Sequence, residues 1–247
     1  MLFRSNDFGT RGQPPTHPEL LDWLASRLVE DGWSLKKLHK LILTSNTYCQ
    51  SSADNPKGAA ADANNELLWR FPRQRLDAEA IRDSILWVSG DLDLTPGGAH
   101  PFPPESSWGY TQHSQFFAVY ETNKRSVYVM QQRLKRHPYF ALFDGADPNA
   151  STGVRFVSTT PLQALFFMND PWVHKESEKF AARVLSASSD EARRVDLAFR
   201  IGYGRAPTAT EAARVAEYLA KFGEQKQTAW ASYARVMFAS NEFLFME

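Results

Sequence analysis

Arginines, aspartates and amides gather in one stretch of this chain, from Arg125 to Trp172, beside its most apolar segment. Arg125, Arg133 and Arg155 carry guanidinium groups, which grip carboxylates, sulfates and phosphates through paired N–H donors. Asp144 and Asp147 are the carboxylates within reach of acid–base work, with Tyr128, Gln163 and Asn169 as neutral hydrogen-bonding partners. Charged and amide groups are costly to bury alone, so this spacing predicts a paired polar network, with the three arginines meeting Asp144 and Asp147. The same residues either line an open cleft or hold a loop onto the helices, and the spacing favours the second. Asp144, Asp147 and Asn149 also place three oxygen side chains within six residues, as a calcium loop begins. Such a loop needs further oxygen ligands and a defined glycine, so turn and cap duty is the expected role.

Other chemistries are excluded or weakened by composition. Cys49 is the single cysteine, which rules out an internal disulfide and any cysteine-built zinc or iron–sulfur site. No Cys-x-x-Cys-His run is present to attach haem. The six histidines are scattered and none makes a His-x-x-x-His pair, so no metal site is expected. Gly-x-Ser-x-Gly, the P-loop and the dinucleotide fingerprint are all missing. Lys and Arg number 28 against 28 Asp and Glu, so nucleic acid is not an expected partner. No apolar run approaches the roughly 18 residues of a membrane helix, and no signal peptide is visible after Met1.

The elements that must position these groups read as helices. Residues 1–15 form a Gly/Pro-rich arm, and residues 16–247 are expected as one domain with a helical part at 16–90, an irregular segment at 91–122 and a second helical part at 123–247. Thr16 with Glu19 reads as a capping box ahead of Leu20, Leu21, Leu24 and Leu28. Ser34 caps a second helix, which makes a hairpin with the first. Residues 51–63 read as a loose linker, and a third major helix runs from about 76 to 89, stopped by Gly90. Ser126–Gln132 alternates weakly and predicts a short strand, Val127 and Val129 inward. Leu162–Met168 is apolar on nearly every side and is expected to be fully buried. Later helices follow Pro171, a Ser188/Glu191 box and a Thr208/Glu211 box. A last helix carries Trp230, Tyr233, Ala234 and Met237. The fold class expected is therefore mainly α, with at most a small β element near 125–132.

Several blocks carry a resemblance when taken in order. They are Gly12–Ala25 (GQPPTHPELLDWLA), Trp33–His39 (WSLKKLH), Thr44–Tyr48 (TSNTY) and Arg75–Asp83 (RLDAEAIRD). Arg125–Tyr128, Phe143-Asp144 with Asp147-Pro148, Thr160–Leu165, Gly204–Thr208 and Ser240–Leu244 follow. Together they resemble the planctomycete domain-of-unknown-function family fifteen-fifty-three, also called a planctomycete secreted domain. The resemblance implies the C-terminal part of a large exported bacterial protein. In such proteins a cytochrome-c-like domain lies upstream, so haem c is expected there and no cofactor in this chain. It also implies a chain that begins mid-protein and an exported location. The family brings no catalytic residues. The leading expectation is an accessory or binding domain that positions a haem partner or a polymeric substrate. The alternative is a hydrolase or lyase acting on a sulfated or carboxylated glycan through Arg125, Arg133, Asp144, Asp147 and Arg155.

Overall fold

Prolines and short polar caps decide where the helices begin. The structure is a computed structural model and describes residues 14–99, 104, 106, 113, 121–150, 152 and 155–246. It is mainly α, as the sequence predicts. The helices are α1 (Pro18–Glu30), α2 (Leu35–Leu43), α3 (Pro56–Ala61), α4 (Ala78–Ser89) and α5 (Pro138–Leu142). They continue with α6 (Pro161–Asn169), α7 (Pro171–Ala187), α8 (Glu191–Tyr203), α9 (Ala209–Ala220), α10 (Lys226–Phe238) and α11 (Asn241–Leu244). Five of these open on a proline, whose fixed φ suits the first helical turn and whose missing N–H costs nothing there. Two two-residue strands, β1 (Gln74–Arg75) and β2 (Phe245–Met246), make the one sheet among the described residues. No helix among the described residues is long and apolar enough to cross a membrane.

The chain divides into two compact units. The first holds described residues 14–74 with 152 and 246. Its α1–α2 hairpin forms as expected, with the Ser34 side chain accepting the Lys37 N–H. Two expectations fail here. Thr16 bonds the His17 ring instead of capping α1, and His17 is the N-cap residue. Residues 51–63 are not a loose linker, because Asn55 caps α3 and Gly58 lets Trp69 lie flat on that helix. A Cβ at Gly58 would come within 2.5 Å of the indole. The Asn65 amide then brackets Arg70 from both sides, accepting its N–H at 3.2 Å and donating to its carbonyl at 2.9 Å.

The second unit holds described residues 75–99, 104, 106, 113, 121–150 and 155–245. Its centre is α7, which packs against α10 and α4. Val173, Phe180, Ala181 and Val184 of α7 are sealed against Trp230, Ala234, Met237 and Phe238 of α10 and Ile81, Ile85 and Val88 of α4. Glu176 is fully buried in this contact and is satisfied there, accepting from Ser89 Oγ at 2.6 Å and from Lys179 Nζ at 3.1 Å. Gly90 ends α4 with φ +85°, a conformation that glycine enters without strain.

Three expectations are corrected in this unit. Ser126–Tyr128 is a 3₁₀ turn, not a strand, with Ser126 buried and Val127 exposed. The Ser126 N–H goes to Asp83 of α4, and the Tyr128 and Val129 N–H groups turn back to the Arg125 and Ser126 carbonyls, which leaves no ladder to build. Leu162–Met168 is not fully buried. Only Gln163 and Phe167 are, while Leu162, Leu165 and Met168 are exposed, because α6 meets its unit along one face. Helix α8 is capped by Asp190, whose carboxylate takes the Ala192 N–H, and not by a Ser188/Glu191 box. The Thr208/Glu211 box on α9 forms as read.

Candidate functional site

Consecutive residues on α4 begin the site. Arg82 is buried and sends its guanidinium to the Thr122 carbonyl, to the Lys124 carbonyl at 3.0 Å and to Ser126 Oγ at 3.2 Å. Burial lowers the Arg82 pKa, and neighbouring Asp83 opposes that shift. Asp83 accepts the Ser126 N–H at 2.8 Å and its hydroxyl at 2.7 Å. One turn of helix thus staples residues 122–126 in place. Arg125 stays largely exposed, with Nε 3.8 Å from Asp83.

A second network closes the entry to α6. Thr160 and Gln163 form a capping box, with the Thr160 hydroxyl accepting the Gln163 N–H and the Gln163 carbonyl oxygen accepting the Thr160 N–H. The Gln163 amide also donates to the Leu142 carbonyl at 2.8 Å and accepts from Arg75 at 2.9 Å. Asp144 follows α5 with φ +58°, a left-handed position that Asp tolerates better than most residues. Its carboxylate takes the Ser158 N–H at 2.8 Å and the Ser158 hydroxyl at 2.7 Å. Ser158 Oγ in turn lies 3.3 Å from Gln163 Nε2, so Asp144 and Gln163 share one network.

The predicted partners are therefore partly rearranged. Arg155 does not meet Asp144 or Asp147. It bonds Glu79 and lies 3.6 Å from Asp77, the acidic start of α4, which holds its pKa up. Asp147 caps its own turn, accepting the Asn149 N–H at 2.9 Å, and the Asn149 amide donates to the Arg133 carbonyl at 2.9 Å. Arg133 and Asn169 are exposed, and the Tyr128 ring lies against Gly97. The physical reason is distance in the chain. Asp144 is taken by Ser158 fourteen residues on, while the acids of α4, read only as helix residues, sit beside Arg155.

Beside these networks the second unit has a cavity of about 420 Å³. Tyr139, Phe166 and Trp172 form an aromatic wall, with ring centroids 5.6 to 6.3 Å apart. Tyr139 is fixed by its hydroxyl, which donates to the Ala78 carbonyl at 2.8 Å, and burial pushes its pKa well up, so it stays a neutral phenol. Phe166 and Trp172 are half-buried. Glu121, Arg82, His137, Asp170 and Lys175 supply the charged and titratable lining, with Thr122 and Asn123 beside them. Asp170 is held by the Trp172 N–H at 2.9 Å as the cap of α7. His137 Nδ1 is buried with no partner among the described residues, and burial, then Arg82, lowers the ring's pKa. A further chain of contacts reaches the wall from the core, where Lys179 bonds both Glu176 and Asp91 and Asp91 accepts from Asn123 at 2.6 Å.

None of the eight side chains singled out from the sequence lines this cavity. Its members come from α4, α5, α6 and α7, from the caps His137 and Asp170, and from residues 121–123 and 129. The only local signals were the His137-Pro138 and Asp170-Pro171-Trp172 helix starts. Among the described residues no serine or cysteine lines it, and none of them form a group of three potential metal ligands.

Fold and site together define a mainly α-helical domain in which polar staples fix loops around an aromatic-walled cavity. The chain belongs to the family described as PSD1, protein of unknown function (DUF1553), whose model matches residues 2–219. No curated protein and no solved structure matches it.

Proposed function

We propose that this chain is a binding domain of a larger exported protein, working beside a cytochrome-c-like domain, and that the aromatic cavity is where it holds a small ligand. The observation that carries the reading is the cavity itself. A concave site of a few hundred Å³ with apolar walls and a few fixed polar groups is the usual form of a ligand pocket. Its rigidity also supports the reading, since Tyr139, Asp170 and Asn123 are each tied to backbone or core before a ligand arrives. The exported, haem-associated setting and the planctomycete origin rest on the family resemblance. Haem c would then sit on the neighbouring domain and not on this chain. The rival reading, a hydrolase or lyase of anionic glycans, has less support. Arg125, Arg133, Arg155, Asp144 and Asp147 do not line this cavity, and Asp144 is committed to Ser158.

Two measurements test this. A thermal-shift screen of small cyclic fragments is expected to raise the melting temperature for some of them, with a change in tryptophan fluorescence that Trp172→Phe removes. A screen without a single hit ends the binding reading. Sequencing the flanking coding region is expected to find a Cys-x-x-Cys-His motif upstream in the same reading frame. Its absence from the full reading frame ends the haem-associated setting.

A further inference from the structure

We infer that the cavity takes a neutral, hydroxyl-bearing ring, such as a sugar residue presents, stacked on Phe166 and Trp172 and hydrogen-bonded along the polar lining. The inference rests on the reading of this cavity as a binding site and adds the class of ligand.

Charge balance argues first. Among the described residues, Arg82 and Lys175 face the cavity together with Glu121 and Asp170, two cations against two carboxylates. The Arg82 guanidinium is already spent on the Thr122 and Lys124 carbonyls and on Ser126, with Asp83 3.8 Å away. Three of its N–H groups are thus committed to the protein, and Glu121 and Asp170 oppose an anion. A cation meets the same balance from the other side. A neutral ligand suffers neither penalty.

Hydrogen-bonding type argues second. Glu121 and Asp170 only accept and Lys175 only donates, so one ligand must both give and receive. Hydroxyl groups do both. His137 fits the same pattern. Its Nδ1 is sealed from water, so Nε2 is the ring nitrogen it can offer to the cavity it lines. With the proton of the neutral ring on Nε2, only a lone pair is buried at Nδ1 and His137 is a donor to a ligand oxygen.

Shape argues third. Phe166 and Trp172 are half-buried with ring planes 38° apart, a broad apolar wall open on one side. The C–H face of a pyranose is flat, apolar and of matching size, and its edge carries the hydroxyls. A volume of about 420 Å³ holds one or two such rings.

The test is calorimetric titration of the whole chain with methyl glucoside, galactoside, mannoside and xyloside. Methyl glucuronide serves as the anion, glucosamine as the cation and cyclohexanol as the ring with one hydroxyl. At least one neutral glycoside is expected to bind saturably, one per chain, and more tightly than the three comparators. Trp172→Ala and His137→Phe are each expected to weaken it about tenfold. Should Trp172→Ala fail to fold by circular dichroism, Trp172→Leu keeps bulk without the ring. Tighter binding of the glucuronide or glucosamine overturns the neutral class. Equal binding of cyclohexanol, untouched by His137→Phe, overturns the hydroxyl reading and leaves the binding site standing. Failure of these sugars and of the wider fragment screen overturns both.

Discussion

At the scale of single residues, Gln163 and Arg155 show how differently two polar side chains can matter. Gln163 is 2 % exposed and completes bonds to Thr160, Leu142, Arg75 and Ser158. Removing it leaves the Leu142 carbonyl and the Arg75 guanidinium short of partners inside the second unit. Gln163→Ala is expected to cost roughly 2–3 kcal/mol in urea unfolding. Arg155 and its partner Glu79 are each about one-third exposed at the side chain, so water screens the pair. Arg155→Ala is expected to cost only about 1 kcal/mol, far below the loss from stranding a buried carboxylate. Equal losses from the two substitutions would show that the two networks act as one. The sequence flagged both residues correctly as polar groups beside the core. It paired Arg155 with the wrong acids because pairing is fixed by which helix lies nearby, and Asp77 and Glu79 are over seventy residues away.

At the scale of elements, caps carry information that survives reading from sequence. Thr208 and Glu211 open α9, and Arg205 clasps Glu211 at 2.7 Å and Glu242 at 2.6 Å. The bond from Arg205, then those from Thr208, pull the Glu211 pKa down from an ordinary 4.5 to about 2. A carboxylate depressed in the folded state adds stability that is full above the ordinary value and lost as pH falls through the lower one. Melting temperatures of wild type and Glu211→Gln are therefore expected to differ at neutral pH and to converge between pH 4.5 and about 2. A difference that persists unchanged at pH 2 removes the clasp as its cause. Where caps misled, a nearer competitor won. Asp190 outbid Ser188 for α8, and the His17 ring took the Thr16 hydroxyl. The expected strand at 126–132 failed for the same kind of reason, since Asp83 takes the Ser126 N–H and the next residues close a 3₁₀ turn.

At the scale of the whole molecule, the two units differ in how much they seal from water. Helices α1, α2 and α3 contain no buried residue, whereas α7 alone buries six. Local opening is easiest where few apolar contacts must break. Amides of α1–α3 are expected to exchange with deuterium well before those of α7, as read by mass spectrometry of proteolytic fragments. Equal protection in both units would show that unfolding is a single event for the chain. Mainly α architecture, most helix positions and membership of this family were legible from periodicity, prolines, caps and ordered motifs, all of which act over a few residues. The side of α6 that is buried, the partners of Arg155 and Asp144, and the cavity at Tyr139, Phe166 and Trp172 were not. Each depends on which faces of distant helices meet, and a linear pattern records a helix's own period but not the neighbour it will pack against.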